Sequence, residues 1–158
     1  MDASLISPFL NATTHVIGTM CQLEVVAGSP EVKHGTGTWG EVTGIIGMSS
    51  EQLSGNMLVS FDEAAVLAIV SNMLMDKFTE INAEIVDAVG EITNMITGGA
   101  KQQLAEMGHQ FSMATPIVVQ GKGINLVQLS KAPVIQIPFV LPEGKFVLEA
   151  NLSEATER

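Results

Sequence analysis

NAEIVDAVGEITNMITGGAKQQLAEMG, from Asn82 to Gly108, carries the longest uninterrupted helical period in this chain. At about 100° per residue, Ile85, Val89, Ile92 and Ile96 share one apolar face. Asp87, Glu91, Asn94 and Gly98 fall on the opposite face, at spacings of four, three and four. A helix needs only one buried stripe to pack, so the second is free for chemistry. It holds a carboxylate and a carboxamide one turn apart, with about 5–6 Å between their Cβ atoms. Gly98 and Gly99 follow, each costing about 1 kcal/mol relative to alanine in a helix interior. Two adjacent glycines there imply that something approaches this surface closely. By residue type alone, such a stripe is equally what a solvated helix face looks like.

Elements can be placed outward from this helix in both directions. Residues 2–21 read as an amphipathic helix with Leu5, Ile6, Phe9, Leu10, Val16 and Ile17 as its apolar set, and Pro8 near its first turn. Residues 22–33 read as extended, broken at Gly28-Ser29-Pro30. Strands are expected over 41–48 and 56–61, joined by SSEQLSG as a hairpin-like link. Asp62 then caps a helix running to about Met75, and Thr79 or Asn82 begins the long one. Three extended runs follow, over 111–120, 132–140 and 145–152, the last two joined by LPEG. SEATER, residues 153–158, reads as a frayed polar tail.

The stretch GIIGMSSEQLSGNMLVSFDE echoes VIQIPFVLPEGKFVLEANLSE in order: strand, glycine-containing turn, strand, acidic exit. Each follows an amphipathic helix and an extended segment. The expected architecture is a single α+β domain over residues 1–152. It has a mixed or antiparallel sheet of about six strands against two long helices, in pseudo-symmetric halves.

Composition narrows the function. The 158 residues suffice for one domain with a substantial core. Hydrophobic residues make up 46% and charged residues 15%, with a mean hydropathy of +0.34. The apolar strands over 132–140 and 145–152 therefore predict an exposed edge and a homodimer. No apolar run reaches the roughly 18 residues of a spanning helix, and no Lys or Arg precedes Lys33 to form a basic leader. Cys21 is the sole cysteine, read as a small buried residue, and the cytoplasm is the expected compartment. The net charge of −10 argues against nucleic acid and anionic membranes.

Several local signals carry less. Gly35-Thr-Gly37-Thr-Trp-Gly40 fits G-x-G-x-x-G, but EVTGIIG after it is a strand pattern where a phosphate-binding helix should begin. His15, His34 and His109 lie in separate segments, without the spacing of a metal site on one helix. No metal or cofactor held by this chain is expected. His109 reads as a helix-end residue, Ser49, Ser50 and Ser54 as turn residues. The nine methionines, among them Met48, Met57, Met73 and Met75, read as core filler.

The run Asp87-x-x-x-Glu91-x-x-Asn94, with Pro116 22 positions after Asn94, resembles the signature of the CheC/CheX/FliY family. Its members are phosphatases of bacterial chemotaxis that act on the phosphorylated response regulator CheY. GEITNMITGGAKQQL resembles the family's motif helix, and ATPIVVQG the strand that follows it. Pro116 comes one residue earlier than the family spacing and is the loosest element of the match. In the CheC branch both halves carry the Glu-x-x-Asn pair. Here SPFLNATTHVIG lacks it, since Pro8 stands three positions before Asn11. One site per chain resembles the CheX branch, whose members are homodimers.

The resemblance implies a phosphatase for the aspartyl phosphate of a CheY-like regulator, with Mg²⁺ held by that partner. Asn94 would position the attacking water and Glu91 would anchor the receiver through its active-site lysine. Asp87, Gly98 and Gly99 would contact the partner. The competing expectation is a non-catalytic receiver-binding module like those of the flagellar switch.

Overall fold

Two side-chain caps set where the later helices begin. In the computed structural model, which describes residues 3–127 and 132–154, Asp62 Oδ1 accepts a hydrogen bond from the Ala65 amide at 2.7 Å. Asn82 Oδ1 accepts one from the Ile85 amide at 3.0 Å. Each short acceptor satisfies a first-turn N–H that has no partner within its helix. The described residues form three α-helices: α1 (Ser7–His15), α2 (Glu63–Leu74) and α3 (Ala83–Glu106). α3 ends as its sequence foretells. Gly108 has φ +93°, its amide bonds to Ala105 O, and the His109 amide reaches back to Leu104 O.

The first helical segment is not one α-helix. A 3₁₀ turn over Ala3–Leu5 precedes α1, and a π turn over Val16–Met20 extends it. The wider turn puts Val16 and Cys21, five apart, on one side, and both are buried. Burial pushes the Cys21 thiol up to about 11, so it stays protonated. The expected helix start at Asp2 lies outside the described residues.

Among the described residues, eight strands form one wholly antiparallel sheet. They are β1 (Val26–Ala27), β2 (Glu31–Val32), β3 (Val42–Ser49), β4 (Leu53–Phe61), β5 (Ser112–Met113), β6 (Ile117–Gln120), β7 (Ile135–Val140) and β8 (Lys145–Glu154). The order is β1-β7-β8-β4-β3-β5, with β2 also on β7 and β6 also on β3. Each half is a helix, two short strands and a hairpin. The short strands of each half pair with the other half's hairpin, and β4 pairs β8 at the centre. That exchange is the pseudo-symmetry heard in the sequence.

Several expected boundaries move. The β3–β4 turn is only Ser50–Gln52, closed by the Ser50 amide on Leu53 O at 2.7 Å, so Ser54 and Gly55 belong to β4. β8 continues through Glu154, because Ser153 and Glu154 pair with Ser54 and Leu53. Those two residues are sheet rather than tail, and residues 155–158 lie outside the description. β8 lies between β4 and β7, so it is no edge, and β1 and β2 cover parts of β7. The run over 111–120 splits in two. Met113 faces Met48 and Ile117 faces Ile45, four steps against three. That extra residue makes a bulge at Ala114-Thr115-Pro116.

The helices cover one sheet face. Phe146, Leu148, Ala150 and Leu152 of β8 meet Met57, Val59 and Phe61 of β4 and the apolar faces of α1, α2 and α3 there. The alternate residues on the second face mix buried apolar side chains, Leu58 and Val147, with polar ones, several of which pair across strands or with a loop. Thr43 Oγ1 lies 2.7 Å from Ser60 Oγ, Asn151 Nδ2 donates to Asn56 Oδ1, and Lys33 Nζ bridges both Glu149 oxygens. Met48 and Met57 are core residues and Met73 packs at its margin. Met75, 93% exposed, is not core. It caps α2 in a left-handed conformation, with φ +54°.

Asp62 works twice, since its Oδ2 also accepts the Lys145 amide at 3.0 Å. Asp62→Ala should therefore cost about 2 kcal/mol, at the upper end for a helix cap. Urea unfolding measures it; an unchanged midpoint would show that neither bond contributes.

Candidate functional site

α3 is amphipathic in the way its sequence reads. Ile85, Val89, Ile92, Ile96, Ala100 and Leu104 are fully buried, packed on β3, β4 and β6 and against α1 and α2. Asp87, Glu91, Asn94 and Gly98 are all exposed, in one stripe. Glu84 extends it by one turn at the N-terminal end and Lys101 at the other. Among the described residues, the side chains of Asp87, Glu91 and Asn94 take part in no hydrogen bond or ion pair. Three carboxylates, a carboxamide and a bare glycine therefore face outward together.

The two flanks of the stripe differ. On the helical wheel Asn94 lies about 60° from Glu91, toward Gly90, whose Cβ position is 3.6 Å from Val118 Cγ2 of β6. Glu91 leans toward the opposite side, that of Met95 and Gly99. Asn94 therefore stands on the flank of β6, the strand Pro116 opens, just past the bulge.

The glycines separate. Nothing lies within 4 Å of a Cβ built on Gly98, so that position is open surface. A Cβ on Gly99 would stand 3.1 Å from the Ala12 Cβ of α1. What approaches half-buried Gly99 within the described residues is the chain's own first helix. Nearby, Asn11 Nδ2 donates to Gln103 Oε1 at 3.2 Å across the same helix pair.

α1 also shows what became of the second site. Leu5, Pro8, Phe9, Ala12, Thr13 and Val16 are buried with the spacing of Val89, Ile92, Thr93, Ile96, Thr97 and Ala100. Thr13 and Thr97 each donate to the carbonyl four residues back. In that register Ser7 and Leu10 stand where Glu91 and Asn94 stand in α3. The sequence comparison of Asn11 with Pro8 was one residue out of register, but its outcome is the same: one Glu-x-x-Asn pair per chain.

The stripe is a convex helix surface and not a cleft. Neither the hollow lined by Ser50, Glu51 and His109 nor that lined by Gly47, Ser54 and Ala114 includes any of its residues. Among the described residues, no three His, Cys, Asp or Glu side chains are grouped to hold a metal ion. Also among them, no helix is long and apolar enough to cross a membrane. An exposed amide beside a carboxylate on an open helix face can orient a water or grip a partner.

The family profile described as chemotaxis phosphatase CheX matches residues 42–140. CheY-P phosphatase CheX of Thermotoga maritima is 25% identical over 160 residues, covering 96% of this chain and 97% of that protein. The crystal structure of chemotaxis protein CheX from Vibrio vulnificus superposes with a TM-score of 0.89 at 41% identity, covering 96% and 100% of the two chains. The CheX–CheY–BeF₃–Mg²⁺ complex from Borrelia burgdorferi contains a chain of the same fold. Its TM-score is 0.77 at 23% identity, over 95% of this chain and 97% of that one.

Sequence reading did not single out Gly44, Gly90, Thr93 or Val118, which seat the helix under the stripe. A signal was available, since a glycine inside a strand pattern, as in VTGIIG, marks close backbone approach. Gly98→Ala should stabilise the chain by about 0.5–1 kcal/mol, because its site is open and helical. Gly99→Leu should destabilise it by about 1–3 kcal/mol through overpacking on Ala12. Urea midpoints of both variants check this, and equal shifts would contradict the distinction.

Proposed function

The chain belongs to the chemotaxis phosphatase CheX family, and from that premise we propose that it hydrolyses the aspartyl phosphate of a CheY-like response regulator. The observation that carries the reading is the pairing of Glu91 and Asn94 one turn apart, both exposed and, among the described residues, without a side-chain partner. An aspartyl phosphate is a mixed anhydride, so its hydrolysis runs downhill and needs mainly a well-placed water. The water oxygen attacks phosphorus in line with the anhydride P–O bond, which breaks. The products are the receiver's free carboxylate and inorganic phosphate, which retains both water hydrogens.

Asn94 suits the alignment of that water. A carboxamide donates and accepts hydrogen bonds without ionising, so it meets the phosphoryl group without charge repulsion. Amide side chains position water in other phosphoryl transfers. Glu91 suits the neighbouring role, an ion pair with the receiver's active-site lysine that fixes register. Mg²⁺ belongs to the receiver. Asp87 lies one turn from Glu91 and contacts the rim of the partner, and open Gly98 leaves room for a receiver loop. In this division of labour the carboxylates of the stripe meet the partner and the carboxamide meets the water.

We infer further that two chains form a homodimer with two separate sites. Val26, Val32 and Val140 are exposed along the sheet edge formed by β1, β2 and β7, and Ile117 along the other. Edges of this kind invite pairing with a second copy, and a two-fold arrangement closes on itself.

Asn94→Ala should lower phosphate release from a phosphorylated receiver by about 10²-fold or more, with affinity for the receiver nearly intact. Glu91→Ala should weaken binding by about 2–5 kcal/mol, read by calorimetry against a receiver in a phosphoryl-mimic state. Wild-type turnover by Asn94→Ala, or an unchanged dissociation constant for Glu91→Ala, would remove that residue from its role. Binding without any phosphate release by the wild-type chain would instead mark a non-catalytic module.

Light scattering across a concentration series should give twice the chain mass of 16.7 kDa. The single-chain mass at every concentration would rule the dimer out.

A further inference from the structure

Gly90 and Thr93 immediately precede Glu91 and Asn94, and they rest on the sheet beneath the stripe. A Cβ on Gly44 of β3 would overlap Thr93 Oγ1 and stand 3.2 Å from the Thr93 Cβ. α3 therefore sits on a strand position emptied of its side chain. Thr93 is fully buried, and its hydroxyl donates to Val89 O at 2.7 Å. Thr97, buried one turn on, donates to Thr93 O at 2.9 Å and lies 3.1 Å from Asn94 O. Gly44 pairs in register with Val118 of β6, the residue against which Gly90 packs. One turn of helix, Gly90 to Thr93, is thus seated on two paired residues of adjacent strands.

We propose that Gly44 and Thr93 are a positioning pair, fixing the height of Asn94 over the β6 flank and thereby the rate of the hydrolytic step. The proposal rests on reading Asn94 as the group that orients water. A methyl on Gly44 forces the helix to rise or Thr93 to turn. Thr93 is wholly buried and its hydroxyl is bonded to Val89 O, so turning it away would break that bond inside a packed core. The helix rises instead, and Asn94 moves with it. Displacement of a positioning group by about 1 Å costs about 10²-fold in rate. Glu91 moves with the same turn, but its longer side chain can follow the receiver's lysine, so receiver binding changes less than the rate.

The test measures phosphate release at increasing concentrations of phosphorylated receiver, with full-length chains whose folding is checked by thermal unfolding. Gly44→Ala should lower kcat by about 10- to 100-fold while KM stays within about threefold. Thr93→Ala removes both γ atoms, so adding it to Gly44→Ala should return kcat to within about threefold of Thr93→Ala alone. Gly90→Val, relieved by Val118→Ala, repeats the design from β6 and decides the matter if Gly44→Ala fails to fold. Unchanged kcat in both lifted variants overturns the inference, as does a loss confined to KM. A loss that neither paired variant recovers overturns it as well. Wild-type turnover is measured first. Its absence counts against the phosphatase reading itself, whereas wild-type turnover with uncoupled variants counts against the positioning pair alone.

Discussion

Burial of one face of α3 is the constraint on which the rest of the structure depends. Six side chains of this 24-residue helix, Ile85, Val89, Ile92, Ile96, Ala100 and Leu104, are wholly removed from solvent. Each of the four larger β-branched ones contributes about 1.5–3 kcal/mol. The same burial holds the opposite stripe still, because a helix so seated cannot roll without exposing an isoleucine. Rigid support on a regular element suits a group that must place a water accurately. Gly44 lets the helix sit close, and Asp62 and Asn82 fix where α2 and α3 begin.

The sheet adds a second condition. Each half of the fold lends its short strands to the other half's hairpin, so neither half is complete alone. The second-half strand that lies beside Asn94 is β6, laid along β3 of the first half. The β5–β6 bulge precedes β6, whose Val118 packs against Gly90 of α3. Pseudo-symmetry has not preserved two sites, since Ser7 and Leu10 occupy the α1 positions that correspond to Glu91 and Asn94.

Much of this was legible in the sequence. The α3 period is strong because every fourth or third residue is a large aliphatic, and Asn82 and Gly108 bracket it with cap chemistry. The hairpins and the exposed stripe were equally readable. Other features were not, for identifiable reasons. The swapped short strands β1, β2 and β5 are two residues long, too short for any alternation. β8 reads as an edge because its apolar sequence does not reveal its neighbours, yet β4 and β7 pair with it on either side, and Val147, Glu149, Asn151 and Ser153 of its second face are buried as well. Gly98 and Gly99 look alike in sequence, and only the path of α1 tells them apart. The role of Gly44 lies in a contact between residues 49 positions apart, Gly44 and Thr93, which no local pattern reveals.

In the proposed reading, a helix that supplies one carboxamide and one anchoring carboxylate would need its partner for everything else: the phosphoryl group, the metal ion and the lysine. The central claim is that Asn94 acts as a neutral donor and acceptor for water. Single-turnover decay of a phosphorylated receiver at saturating chain tests it most directly, with wild type set against the isosteric Asn94→Asp. The account predicts that Asn94→Asp loses the acceleration, because a carboxylate there repels the phosphoryl oxygens and can donate no hydrogen bond. Decay as fast as with wild type would contradict it.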